Sequence, residues 1–250
     1  MRVLFCYTLA CGLFFAGVAA HGAEVDPAQI LNHVDDLYRG NKARGTIAMK
    51  VVTEHWTRSL KLAFWSQGTD HTLARILSPK KEKGTATLRV GNDVWNYLPK
   101  VKRVIKVPGS MMGSSWMGSH FTNDDLVRQT RMAEDYNFTV TFSGERAGRV
   151  IYEVTCIPKE DAAVVWGKIV VEVLQKGYLP IRTRYYDEEL ALARTMAFGE
   201  VRKSGSRVIP MRLKITPEDK AGEYTEVIYQ DLRFDVKLKS DMFTLRQLQR

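Results

Sequence analysis

The sequence predicts a mainly β protein, a strongly curved antiparallel sheet around a helical plug, and three observations predict it. Apolar and polar residues alternate in run after run from Gly45 to Phe234, the period of a strand with one buried face. Short turn sequences separate the runs: Gly68-Thr69-Asp70, Gly91-Asn92-Asp93, Glu145 to Gly148 and Lys203 to Ser206. Only one long stretch, near the N-terminus, has helical spacing. A long meander with one apolar face must close into a barrel, pack as a sandwich or be covered by helices. With one long helix available, a curved sheet around that helix needs the fewest parts.

Taken in order, residues 1–20 (MRVLFCYTLACGLFFAGVAA) carry one basic residue, Arg2, and then a mostly apolar run from Val3 to Ala20. That is the pattern of a secretory signal peptide. Val18 and Ala20 stand three and one before a cut that leaves His21 first, and a cut after Ala23 also fits. The 250 residues are thus expected to divide into a signal peptide, 1–20, and one domain, 21–250. Cleavage removes Cys6 and Cys11 and leaves Cys156 without a disulfide partner. Thr8, Leu9 and Ala10 fit a lipobox at Cys11 poorly, so a released protein is expected rather than a lipid-anchored one. The remainder has no run of the ~18 apolar residues that a membrane-spanning helix needs.

Asp26-Pro27 opens the helix, with Asp26 able to cap free N–H groups and Pro27 at the first helical position, where its missing N–H costs nothing. Ile30, Leu31, Val34, Leu37 and Tyr38 form its apolar face, and Gly40 ends it after Arg39. The clearest strand runs are Ile47/Met49/Val51, Leu60/Leu62/Phe64, Tyr136/Phe138/Val140/Phe142, Val150/Tyr152/Val154, Ile169/Val171/Val173, Ile209/Met211/Leu213/Ile215 and Ile228/Leu232/Phe234. Weaker runs surround Leu73 to Leu77, Ala86 to Val90, Val94 to Leu98, Val101 to Val107, Ile181 to Tyr185 and Met196 to Val201, giving about a dozen strands. Cys156 continues the alternation Val150, Tyr152, Val154 and reads as a buried structural thiol.

The stretch Pro108 to Phe121 (PGSMMGSSWMGSHF) has neither period and is the length of a functional loop. Thr122, with Asp125 three residues on, then opens a short helix through Arg128. Met-rich surfaces repack around variable apolar ligands, so Met111, Met112, Trp116, Met117 and Phe121 suit a lid or mouth. Leu60, Leu62, Phe64, Trp65, Trp95 and Tyr97 suit the lining of a cavity, although a loop that simply plugs the barrel has the same composition.

Composition excludes disorder and collagen-like repeats: 45% of residues are hydrophobic and 26% charged. The net charge of +9 concentrates in Lys80-Lys81-Glu82-Lys83 and in KVKRVIK, Lys100 to Lys106. In an exported protein Lys100, Lys102 and Arg103 suit an anionic headgroup or a docking partner better than nucleic acid. Ser115 is the best nucleophile, but Met117 stands where a nucleophile elbow needs Gly. His21, His33, His55, His71 and His120 show no metal-ligand spacing and read as isolated surface residues. Asp35-Asp36, Asp124-Asp125 and Glu188-Glu189 read as solvated charge and helix caps. No phosphate-binding motif is present, and the sequon at Asn137 falls mid-strand. No cofactor, metal or catalytic residue is therefore expected.

The stretch Thr57 to Gln129, above all SMMGSSWMGSHFTNDDL, and the tail DMFTLRQLQR resemble the bacterial "outer membrane lipoprotein-sorting protein" group of the LolA-like superfamily. The similarity extends over Ile30 to Arg250. It implies an unclosed, strongly curved antiparallel β-barrel whose N-terminal helix and helix/loop lid cover an apolar cavity. It also implies a periplasmic, non-enzymatic carrier of lipoprotein acyl chains or phospholipid, a monomer served by an inner-membrane transporter and an outer-membrane acceptor. The alternative is a non-transporting periplasmic adaptor or sensor of an envelope lipid transporter, its cavity plugged by its own side chains.

Overall fold

The structure, a computed structural model, describes residues 25–38, 41–128, 132–162 and 164–250. The expected signal peptide and the helix stop at Gly40 lie outside the described residues. The first element is helix α1 (Pro27–Asp36), where Asp26 accepts from the Ala28 N–H at 2.9 Å and Pro27 holds the first position. A turn through Leu37 and Tyr38 follows, so the helix is shorter than the expected Pro27 to Arg39.

Six strands come next: β1 (Lys42–Val52), β2 (Thr57–Gln67), β3 (His71–Ser78), β4 (Ala86–Val90), β5 (Asp93–Leu98) and β6 (Arg103–Lys106). Two short helices, α2 (Asn123–Arg128) and α3 (Met132–Asp135), lead into seven more strands. These are β7 (Tyr136–Arg146), β8 (Arg149–Pro158), β9 (Lys168–Leu174), β10 (Pro180–Tyr186), β11 (Leu192–Ser204), β12 (Arg207–Pro217) and β13 (Tyr224–Phe234). A short helix, α4 (Leu245–Leu248), ends the chain.

The thirteen strands of the described residues form one antiparallel sheet in the order β6-β5-β4-β3-β2-β1-β13-β12-β11-β10-β9-β8-β7. The pairing of β1 with β13 wraps the sheet round, and the opening falls between β6 and β7. These two strands are consecutive in sequence yet form the free edges, so the connection between them, described over 107–128 and 132–135, belongs to the open side of the sheet. That connection contains the aperiodic loop and α2.

The inward face follows the period of two closely: Ala43, Met49 and Val51 on β1, Leu60 and Leu62 on β2, and Ile209, Met211, Leu213 and Ile215 on β12 are buried. Ile30 and Leu31 of α1 join that core, each such side chain contributing roughly 1.5–3 kcal/mol by leaving water. The outer face of β3 to β5 is also apolar. Leu73, Ala86 and Leu88 pack there beneath Met242 and Leu248 of the C-terminal segment, which Arg75 ties down by donating to the Gln247 carbonyl at 2.6 Å. Two ends of expected strands depart from the alternation: Val101 lies in the β5–β6 turn and Val150 at the rim of β8, both more than half exposed.

A close approach shapes the interior at Gly45. A Cβ there would stand 2.2 Å from the Asp231 carbonyl oxygen and 2.7 Å from the Phe64 ring, which lies across β1 at this point. The β1–β13 register shifts one residue later, between Thr46 and Ile47. Gly45→Ala should therefore push Phe64 and β13 apart and cost about 1–3 kcal/mol, read as a lower urea midpoint. An unchanged midpoint would show that the close contact is not needed.

Candidate functional site

Between α1, the inner face of the sheet and the β6–β7 connection lies a cavity of about 260 Å³. Val171, Met196, Phe198, Leu213 and Val227 form one wall, Ile47, Met49 and Phe64 another, and Leu31, Val34 and Tyr38 of α1 a third. Tyr38 is fixed by donating its hydroxyl to the Pro210 carbonyl at 2.7 Å and by stacking on Tyr229 with ring centroids 5.3 Å apart. Burial pushes its ionisation far above the ordinary tyrosine range, so it remains a neutral donor.

The β6–β7 connection provides the roof. Its loop is folded by its own hydrogen bonds: the Trp116 N–H donates to the Phe121 carbonyl at 2.7 Å, and the Asn123 amide bridges the Met111 and Ser114 carbonyls at 3.1 and 3.2 Å. Trp116 and Phe121 point into the cavity, packed edge to face. The Trp116 indole N–H donates to Thr87 Oγ1 at 3.1 Å, and that hydroxyl donates to Asn96 at 2.6 Å. Helix α2 begins with a reciprocal cap. Thr122 Oγ1 accepts from the Asp125 N–H at 3.1 Å, and Asp125 accepts from the Thr122 N–H at 2.7 Å.

Asp125 also ties the roof to the sheet. Arg194 on β11 meets it through two hydrogen bonds of 2.8 and 2.5 Å and donates to the His120 carbonyl at 3.0 Å. The guanidinium lies over Tyr185 and Trp166, 4.3 and 4.5 Å from their ring centres, and both partners of the pair are buried. His120 adds a second anchor, its N–H and Nδ1 on Thr225 Oγ1 at 3.0 and 2.9 Å and its Nε2 on Glu223 at 3.0 Å. The Glu54 N–H and His120 together hold the Glu223 carboxyl below its usual range. Arg58 donates to the Met117 carbonyl at 2.7 Å, and Met117 adopts a left-handed backbone conformation with φ +50°. The roof is thus latched to β2, β11 and β13.

The sequence-derived residues divide as follows. Phe64, Trp116 and Phe121 line the cavity, while Leu60 and Leu62 lie on the same face, buried in the adjoining core. Met117 packs against that core from the roof, whereas Met111 is half exposed and Met112 partly so. Trp95 and Tyr97 sit elsewhere: they face Leu88 and Ala86 across β4 and pack on the outer face under the C-terminal segment. Trp65 joins the same outer cluster. Lys100, Lys102 and Arg103 are exposed at the β5–β6 hairpin.

The polar roles differ from the expected ones. Asp124 and Asp125 are buried, not solvated, although Asp125 does cap α2. His120 is a roof anchor rather than an isolated surface residue. Ser115 donates to the Ser119 carbonyl at 2.5 Å. Arg89, Thr183, Tyr185 and Arg194 were not distinguishable from outward-facing strand residues by pattern alone, yet Arg89, Thr183 and Tyr185 line the cavity and Arg194 latches its roof.

Cys156 is fully buried on β8 in the core beside the cavity. Burial, with a smaller contribution from Asp35, pushes its thiol up to about 12. At pH 8 it should resist N-ethylmaleimide in the folded protein and react within minutes in urea. Fast labelling of the folded protein would contradict the closed roof.

A family model described as "-like: Uncharacterized protein" matches residues 68–250. The fold matches a LolA superfamily protein from Nitrosomonas europaea with a TM-score of 0.76 at 19% identity, covering 90% of this chain and 100% of that one. It matches an outer membrane lipoprotein-sorting protein domain from Vibrio parahaemolyticus with a TM-score of 0.77 at 23% identity, over 89% and 97% of the two chains. A DUF1329 family protein from Desulfovibrio piger gives a TM-score of 0.81 at 21% identity, over 90% and 100%. At these identities the likeness is one of fold. No curated protein matches the sequence.

Proposed function

We propose that this chain, which belongs to the family whose model spans residues 68–250 and has the fold of the LolA superfamily, is a periplasmic carrier that takes acyl chains into its cavity and moves them towards the outer membrane. The observation that carries this reading is the apolar cavity beneath a roof that joins the two free edges of the sheet. An acyl chain gains ~0.8 kcal/mol for each CH₂ that leaves water. A carrier must also surrender that gain on delivery, and a roof held by a few discrete polar contacts can open as a unit without disturbing the sheet.

In this reading the cleaved signal peptide exports the protein and one domain performs the task. Opening breaks the contacts of Arg194 and His120, swings Trp116 and Phe121 out of the cavity and admits the chain. Lys100, Lys102 and Arg103, exposed on the hairpin at the β6 edge, contact a headgroup or the loading and accepting proteins. The name of the Vibrio parahaemolyticus neighbour, an outer membrane lipoprotein-sorting protein domain, supports a lipoprotein as cargo, and a lipoprotein presents acyl chains to an apolar cavity.

The reading is tested by mixing the protein with vesicles that contain a diacylated lipopeptide bearing a fluorescent acyl chain. The protein should extract the fluorophore into a soluble complex. Ala74→Trp, which fills the cavity from β3, should abolish extraction while the protein still melts cooperatively. Fluorophore that stays with the vesicles in the presence of the unaltered protein contradicts the proposal.

A further inference from the structure

One end of the sheet is two-sided in charge. The β1–β2, β3–β4 and β5–β6 turns all fall there, because consecutive strands of the meander run in opposite directions. The three turns adjoin. Arg58 at the start of β2 pairs with Glu82 of the β3–β4 turn, and a Cβ on Gly84 of that turn would meet Pro99 of the β5–β6 turn at 3.6 Å. Lys80, Lys81, Lys83, Lys100, Lys102 and Arg103 stand on or beside the last two turns, all exposed and none in an ion pair among the described residues. The β10–β11 and β12–β13 turns lie at the same end, since Val52 faces Tyr224 and Pro217 faces Arg194. They carry Asp187, Glu188, Glu189, Glu218, Asp219 and Glu223, with Lys220 as their one cation.

Apolar side chains stand among the basic ones. Val101, in the β5–β6 turn, is 60% exposed, and Leu98 just before it and Trp56 on the β1–β2 turn are exposed as well. None of the three lines the cavity. A bilayer interface accommodates both kinds of group: headgroup phosphates meet the ammonium groups while the Trp and aliphatic side chains sink beside them. Turns that stand out from the sheet suit a deformable layer of headgroups better than the shaped face of a protein.

We propose that this end of the sheet docks on an anionic phospholipid bilayer through the β3–β4 and β5–β6 turns, with the acidic turns over β10–β13 held away from it. This rests on the carrier reading above for its purpose and names what Lys100, Lys102 and Arg103 meet. Docking also brings the roof to the lipid, because Arg58 serves both: it pairs with Glu82 on the docking turns and donates to the Met117 carbonyl of the roof at 2.7 Å. An acyl chain can then pass between bilayer and cavity with little exposure to water.

Sedimentation of the protein, purified from the cells that make it, with two kinds of vesicle tests the docking: equal parts phosphatidylglycerol and phosphatidylcholine, or phosphatidylcholine alone. Each Lys or Arg that reaches an anionic surface is worth about fivefold in partition, so the anionic vesicles should bind at least about tenfold more tightly. Added salt should weaken that binding. Lys100→Gln, Lys102→Gln and Arg103→Gln together should weaken it at least about tenfold. Lys176→Gln, Lys203→Gln and Lys237→Gln remove as much exposed charge from the opposite end and should leave it within about twofold. Equal binding to the two vesicles, or equal loss in the two triple variants, would overturn the docking surface. So would retention on immobilised poly-glutamate without vesicle binding, which would assign these turns to an acidic protein. Vesicle binding needs no extraction of lipid: a protein that docks but leaves the fluorescent acyl chain behind keeps the docking surface and loses the carrier reading, and one that extracts without docking does the reverse.

Discussion

Replacing Arg194 with methionine should destabilise the protein by about 3–5 kcal/mol, the usual result of removing one partner from a buried ion pair. Asp125 would be left as a buried carboxylate that keeps the Thr122 N–H as a donor but has lost its cation, and the His120 carbonyl would lose a donor. Asp125→Leu should cost a similar amount and add the loss of the cap on α2, about 1 kcal/mol. The double variant should be less damaged than the two single costs added together, because no uncompensated charge remains. Urea denaturation measures all four proteins. Alkylation of Cys156 at pH 8 reports the roof separately, and each single variant should label much faster than the parent. Full additivity, or labelling that stays slow, would mean that the pair does not hold the roof.

Trp116→Asp should abolish acyl-chain binding. The substitution removes the largest roof side chain from the cavity, together with its bond to Thr87, and puts a carboxylate against Phe121 and the apolar walls. Loss of the indole packing alone costs about 3–5 kcal/mol, so the roof should also loosen. Met111→Asp is the contrasting change, since Met111 is half exposed on the solvent side of the same loop. Its effect on stability should stay within about 0.5 kcal/mol and its effect on binding near zero. A fluorescent fatty acid titrated against the three proteins checks this, and equal loss in both variants would remove Trp116 from the gate.

The elements that were legible in the sequence are those fixed by local chemistry. Asp26-Pro27 starts α1, Thr122 and Asp125 cap α2, and alternation marks β1, β2 and β12 because one of their faces is buried. Alternation fails where both faces are covered. Trp95 and Tyr97 were expected in the cavity because the rest of the sheet has a single apolar face, whereas β4 and β5 carry the C-terminal segment on their outer side. Met242 and Leu248, apolar residues in a short tail, were the available sign of that cover.

The polar half of the site was not legible, for a different reason. Arg194 and Asp125 are 69 residues apart, and Arg89 shares a row with Ser66 and Thr72 only once the register of three strands is known. A charged residue in an alternating strand is by default an outward one. The aperiodic loop, by contrast, announced itself by composition, and the topology explains its length: it lies in the connection between the sheet's two free edges.

The central claim is that the cavity holds an acyl chain in the cell. Native mass spectrometry of the protein purified without detergent from the cells that make it tests it most directly, followed by organic extraction of whatever is bound. The account predicts one molecule bearing an acyl chain per protein, absent from the Ala74→Trp variant. A clean unliganded mass that persists after incubation with lipid vesicles and lipopeptide would contradict it.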